Sequence, residues 1–79
     1  MNKIVGYIYF DKTREWDSYF SENAHWADGD EDWFLGGTVR TLDDVRTVLA
    51  SQGFDNDYIE DFIKFDLSHD QYMQLINIR

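Results

Sequence analysis

The chain has 79 residues and a formal net charge of −9, which arises from 16 acidic and 7 basic side chains. A chain of this length forms one domain, residues 1–79, and buries only about 60% of the surface that its unfolded state exposes. Because it contains no cysteine, disulfide bonds and thiolate metal sites are excluded. The negative charge disfavours direct binding to nucleic acid or to an anionic membrane, and it favours a cationic partner.

The chain begins with a segment, Lys3 to Phe10, that is rich in β-branched and aromatic residues. This composition predicts a strand, and apolar side chains on both of its faces place it at the centre of a sheet. The apolar run is too short to span a membrane, and no small-residue cleavage site follows it. We therefore expect a soluble, cytoplasmic protein.

A helix is predicted next, capped by Asp11 or Thr13 and extending to about Ala24. Its buried stripe would consist of the residues at helical spacing, which are Trp16, Tyr19, Phe20 and Ala24. After an acidic loop, Trp33 to Arg40 predicts a second strand that is weakened or bulged at Gly36-Gly37.

Two further helices are predicted from their N-terminal caps. Thr41, followed by Asp43 and Asp44, begins a helix that ends near Gly53, a residue suited to a C-terminal cap. Asp55 begins a shorter helix, whose apolar stripe comprises Tyr58, Ile59, Phe62 and Ile63.

The last segment, Gln71 to Arg79, predicts a strand, because Ile76-Asn77-Ile78 lacks a helical stripe. The alternative is a last helix, in which Ser68 and Gln71 form a capping box. The predicted order is β-α-β-α-α-β, an α+β domain. Its three-stranded, mainly antiparallel sheet would be covered on one face by helices.

The sequence HWADGDEDWFLGG, residues 25 to 37, contains the most concentrated acidic loop. Asp28, Asp30 and Asp32 match the start of a calcium-binding EF-hand loop. That loop also needs glycine at its sixth position and glutamate at its twelfth, where this chain has Trp33 and Val39. We therefore expect no dedicated metal site and no cofactor, although clustered carboxylates can attract a hard cation weakly.

Catalytic patterns are equally incomplete. His25 and His69 are far apart and lack zinc-ligand spacing, and no serine lies in a nucleophile elbow. His69 beside Asp70 is only a sequence neighbour, whereas a catalytic triad is a spatial arrangement. A domain this small also rarely has a cleft deep enough to raise the pKa of a catalytic carboxyl group. We expect a protein that is not an enzyme.

Display of charge to a partner is the remaining interpretation. The chain has seven acids and no base from Glu15 to Asp32, and six acids against Lys64 alone from Phe54 to Asp70. Like charges at helical spacing cost roughly a few tenths of a kcal/mol each, so an unrelieved acidic helix favours a function for the charge. The candidate partner-binding residues are Glu22, Trp26, Asp28, Asp30, Glu31, Asp32, Asp57, Glu60 and Asp61.

In size, acidity and mixed α/β pattern, the chain resembles the small phage-encoded inhibitors known as DNA mimics, which include anti-CRISPR and anti-restriction proteins and inhibitors of uracil-DNA glycosylase. The resemblance implies a non-enzymatic inhibitor in the cytoplasm of a bacterial host. Its partner would be the cationic nucleic-acid-binding site of a nuclease or of a CRISPR surveillance complex. The alternative is an immunity or antitoxin protein that neutralises a basic toxin nuclease.

Overall fold

A computed structural model describes residues 3–12, 17–24 and 32–76 of the chain. Strands β1 (Gly6–Asp11), β2 (Ser18–Ser21) and β3 (Trp33–Val39) come first. Helices α1 (Leu42–Ser51), α2 (Asn56–Asp61) and α3 (His69–Ile76) follow, with a π-helical turn (Phe62–Asp66) between α2 and α3. The predicted α+β class with a three-stranded antiparallel sheet is confirmed, but the predicted order of elements is wrong at two places.

The sheet has the order β2-β1-β3, and β1 pairs antiparallel with both neighbours. Its central position confirms the prediction made from its two apolar faces. Ile8 and Phe10 join the core formed with the helices, together with Val45, Leu49 and Phe62. On the opposite face, the Tyr9 ring stacks on Tyr19 and the Tyr9 hydroxyl group donates hydrogen bonds to the carbonyl oxygens of Asn23 and Ala24.

The helix predicted up to Ala24 is wrong where the structure describes this segment, because Ser18–Ser21 forms the edge strand β2. Tyr19 lies opposite Tyr9 and its ring is 4.5 Å from the Trp33 ring, whereas Phe20 packs over Gly6 in the core layer. Neighbouring aromatic residues thus point to opposite faces, which is the period of a strand. Helical spacing of aromatic residues alone could not exclude this arrangement.

The predicted bulge in the strand from Trp33 is confirmed at Gly36. Ile8 pairs with Gly37 and Tyr9 pairs with Leu35, so Gly36 is the extra residue of β3. A Cβ atom at this position would overlap the ring of Phe10, which is fully buried, stacks on Phe54 and contacts the tilted ring of Phe34. The bulge therefore requires glycine because of this close approach.

The predicted caps of α1 and α2 are confirmed. The Thr41 hydroxyl oxygen accepts a hydrogen bond from the backbone N–H of Asp44, and the Asp44 carboxylate accepts one from the backbone N–H of Thr41. Gly53 follows α1 with φ +92°, a left-handed conformation that favours glycine. An Asp55 carboxylate oxygen accepts a hydrogen bond of 2.8 Å from the backbone N–H of Tyr58.

The strand predicted from Gln71 is wrong, because the described part of this segment belongs to helix α3. The alternative, a capping box, is present. The backbone N–H of Ser68 donates to the Gln71 side chain at 2.9 Å, and the backbone N–H of Gln71 donates to the Ser68 hydroxyl oxygen at 3.1 Å. These two hydrogen bonds satisfy donors that the first turn of the helix would otherwise leave unpaired, while Leu75 anchors the helix in the core.

A chain of aromatic rings connects the sheet to the helices. The Phe10, Phe54, Tyr58 and Phe62 rings follow one another at centroid distances of 5.7, 4.2 and 6.5 Å. The Tyr58 hydroxyl group also forms a 2.7 Å hydrogen bond with the Ser18 hydroxyl group of β2. Helix α2 is thereby fixed against both the core and the edge of the sheet.

The close approach at the bulge generates a stability prediction. The substitution Gly36→Ala should lower the free energy of unfolding by about 1–3 kcal/mol, because the stacked Phe10 ring cannot move away from the new methyl group. The neighbouring Leu35→Ala should cost less, since Leu35 is 48% exposed. Urea denaturation followed by tryptophan fluorescence measures both, and equal losses for the two variants would contradict the overlap argument.

Candidate interaction surface

Helix α2 presents its acidic residues to solvent, as the sequence predicted. Asp57, Glu60 and Asp61 are exposed, whereas Ile59 and Phe62 on the opposite side are buried. The cap at Asp55 fixes where the helix begins, and the helical period then separates the two faces. Three of the nine candidate residues are therefore brought together on one surface.

Glu60 has a partner within the molecule. Its carboxylate accepts hydrogen bonds from the Arg46 guanidinium group of α1 at 3.1 and 3.5 Å. Arg46 also lies 3.8 Å from the Asp43 carboxylate. The hydrogen bonds with Glu60 are the main cause that raises the pKa of Arg46. Arg46 thus partly neutralises Glu60, a contact between helices that the sequence analysis missed.

Apart from Asp55, which caps α2, the other acids of residues 55–76, the acidic helical segment, have less compensation. Asp57, Asp61, Asp66 and Asp70 are exposed. Within the described residues, none of these four forms an ion pair. Lys64 is the one lysine or arginine of the segment, and its ammonium nitrogen lies 5.3 Å from the centre of the Phe65 ring. Most of the negative charge here is therefore unpaired.

The π-helical turn exposes a large aromatic residue that sequence reasoning missed. Phe65 stands seven residues after Tyr58 and three after Phe62, positions that an α-helix would place on one face. The i→i+5 hydrogen bonds of a π-helix change the angle between successive side chains, so these positions no longer share one face. Phe65 is 70% exposed, whereas Phe62 and Leu67 are buried. The sequence around Phe65 contains more apolar residues than a single helical stripe can accommodate, and this was the signal for an exposed ring.

Helix α3 adds further exposed apolar residues. Of the five large hydrophobic residues that are exposed in the described structure, four lie between positions 65 and 76. They are Phe65, Tyr72, Met73 and Ile76. The wrong prediction of a strand at the end of the chain caused this surface to be missed, because Tyr72, Met73 and Ile76 lie together on one face only in a helix.

A groove lies on the helical layer and has a volume of about 620 Å³. Its apolar lining comes from Ile63 and Leu67, which are buried apart from this opening. The remaining residues of the lining are polar or amphipathic: Glu60, Asp61, Lys64, Ser68, His69 and Tyr72. The groove, hereafter the helical groove, therefore combines an apolar floor with carboxylates and an aromatic ring.

The first acidic region is only partly described. Glu22 is exposed just after β2, and Asp32 is exposed just before β3, where its carbonyl oxygen accepts a hydrogen bond from the backbone N–H of Lys12. Trp33 is half-buried. The candidate residues Trp26, Asp28, Asp30 and Glu31 lie outside the described residues, and so does the histidine His25.

Within the described residues, no group of three or more histidine, aspartate or glutamate side chains is arranged to hold a metal ion. The candidate calcium ligands Asp28 and Asp30 lie outside that part of the chain. Over the same part, no helix has the length and apolar character needed to cross a membrane.

No family model, curated protein or solved structure matches the chain.

Partial burial of the Asp66 carboxyl group raises its pKa, and this shift generates a pH-dependent prediction. A raised pKa means that the folded state binds the proton more tightly, so the associated stability is present in acid and is lost as the pH rises. Asp66→Asn should therefore raise the free energy of unfolding at neutral pH and lose this advantage in acid.

Urea denaturation at both pH values measures this effect. Asp17→Asn, at an exposed carboxylate outside the helical layer, is the matched control for the general loss of charge repulsion. Equal gains for the two variants at neutral pH would show that desolvation of Asp66 contributes nothing.

Proposed function

We propose that the protein is a non-enzymatic inhibitor that occupies the cationic nucleic-acid-binding site of a nuclease or a CRISPR effector complex, in the manner of a DNA mimic. The proposed place of action is the cytoplasm of a bacterial host. The observation that carries the proposal is the acidic helical segment, where exposed carboxylates outnumber the single lysine and, among residues 3–12, 17–24 and 32–76, mostly have no ion-pair partner.

The helical arrangement supports this proposal by its spacing. Residues four positions apart on a helix have Cβ atoms roughly 5–6 Å apart, so Asp57 and Asp61 form a short row of negative charge on a rigid element. Such a row can engage lysine and arginine side chains that would otherwise contact phosphate groups. The cap at Asp55 holds the start of this helix in place before the partner arrives.

The energetic cost of this charge also supports a role in binding. Asp57 and Asp61 repel each other at i and i+4, and Asp66 is partly desolvated. A solvated surface without a function could replace these acids by lysine and gain stability. Proteins commonly retain destabilising groups at functional sites, where removing them costs activity.

One substitution tests the energetic cost of the charge and its role in binding separately. Asp61→Lys should form a favourable pair with Asp57 and raise the free energy of unfolding by roughly 0.5 kcal/mol, while it weakens binding to the inhibited nuclease about tenfold. Asp17→Lys makes the same change of charge outside the helical layer and should leave binding nearly unchanged.

The assay is inhibition of DNA binding by a panel of purified CRISPR effectors, restriction nucleases and toxin nucleases. Inhibition confined to a toxin nuclease would identify an immunity protein instead. If Asp61→Lys is more stable and inhibits as strongly as the unmodified chain, the acidic helical segment is not the interface.

Association should also depend on salt. Attraction between exposed charges is screened within about 10 Å at 0.1 M ionic strength, so the association rate should fall steeply between low and high salt, while dissociation changes less. Stopped-flow mixing with the inhibited nuclease measures both rates. A constant association rate would point to an interface dominated by apolar contacts.

A further inference from the structure

The helical groove lies within the acidic helical segment and brings together chemistry that carboxylates alone do not explain. Its floor is apolar, from Ile63 and Leu67, and its volume of about 620 Å³ falls within the range of small-molecule pockets. Tyr72, an aromatic residue that is 36% exposed, also lines it. A purely polar occupant would leave this apolar surface unused.

The carboxylates of the groove differ in availability. Glu60 is already engaged by Arg46, whereas Asp61 has no ion pair within the described residues. Lys64 also lines the groove, but its ammonium nitrogen interacts with the exposed Phe65 ring. Asp61 is therefore the carboxylate that can receive a cation from outside.

We propose that the helical groove binds an arginine side chain of the partner, with its guanidinium group on Asp61 and its aliphatic stem on Ile63, Leu67 and the Tyr72 ring. This inference rests on the proposed function and specifies the chemistry of the partner. Arginine combines a long apolar stem with a planar cation that stacks on aromatic rings and pairs with carboxylates. Lysine offers a more strongly hydrated point charge that uses the ring and the floor less well.

The test uses the full chain and two probes that differ only in charge. Nα-acetyl-arginine amide carries one guanidinium group, and Nα-acetyl-citrulline amide is its neutral isostere. In NMR titrations, the arginine probe should produce saturable shifts centred on the Ile63 and Leu67 methyl groups and the Tyr72 ring. The citrulline probe should produce shifts at least about tenfold weaker in affinity.

Two variants on the same helix provide the matched control. Asp61→Asn should weaken binding of the arginine probe about tenfold, because it removes the charge that faces the groove. Asp57→Asn removes the same charge one turn earlier, at a residue that does not line the groove, and should change the affinity less than about twofold.

Several outcomes would overturn the inference. Equal weakening by both variants would mean that the probe responds only to the general negative field. Equal binding of citrulline would mean that the groove takes an uncharged ligand, and absence of shifts at the groove would exclude arginine. Shifts at these residues that depend on protein concentration, without any probe, would mean that a second copy of the chain covers the groove.

The results distinguish this inference from the proposed function. If the arginine probe binds at the groove but no nuclease is inhibited, the groove is an arginine site and the inhibitor proposal fails. If a nuclease is inhibited through Asp61 while the probe leaves the groove unaffected, the inhibitor proposal stands and the groove is not its arginine site.

Discussion

The packing of Phe10 is the constraint on which the rest of the structure depends. Its ring occupies space that exists only because Gly36 lacks a side chain. It contacts the tilted ring of Phe34 in β3 and stacks on Phe54 before α2. One side chain of the central strand therefore sets the bulge in the sheet and joins the sheet to the helical layer. In a chain of 79 residues with little surface to bury, a few large rings provide most of the core.

A few buried side chains and caps also hold the acidic helical segment in place. Its buried side is anchored by Ile59, Phe62, Ile63 and Leu67, and its helices begin at side-chain caps. Packing and caps compensate for repulsion among the exposed acids, so the charge can be concentrated on one surface. The Arg46–Glu60 pair neutralises one position where α1 meets α2, whereas the neighbouring Asp61 forms no ion pair with any residue that the structure describes.

Local chemistry made part of this structure predictable. The caps at Thr41 and Asp55, the bulge at Gly36 and the buried stripe of α2 all depend on residues close in sequence, and each was found. The wrong predictions concern segments whose structure depends on contacts with residues far away in the sequence. Tyr19 and Phe20 fit helical spacing, but Tyr9 and Gly6 draw them to opposite faces of a strand. Within the candidate site, the exposure of the acids of α2 could be predicted from the sequence. The contact of Arg46 with Glu60 and the π-helical turn could not, because both depend on how the whole chain folds.

The short edge strand β2 depends on both the sheet and the helical layer for its attachment. With four residues, it is attached to β1 by its ladder and by the Tyr9–Tyr19 stack, and to α2 by the Ser18–Tyr58 hydroxyl pair. Detaching β2 would therefore break backbone hydrogen bonds, a ring stack and a hydroxyl pair together. Loss of the Ser18 hydroxyl group would remove a contact of the helix that carries Asp57 and Asp61, so the edge of the sheet also helps to position the acidic helical segment.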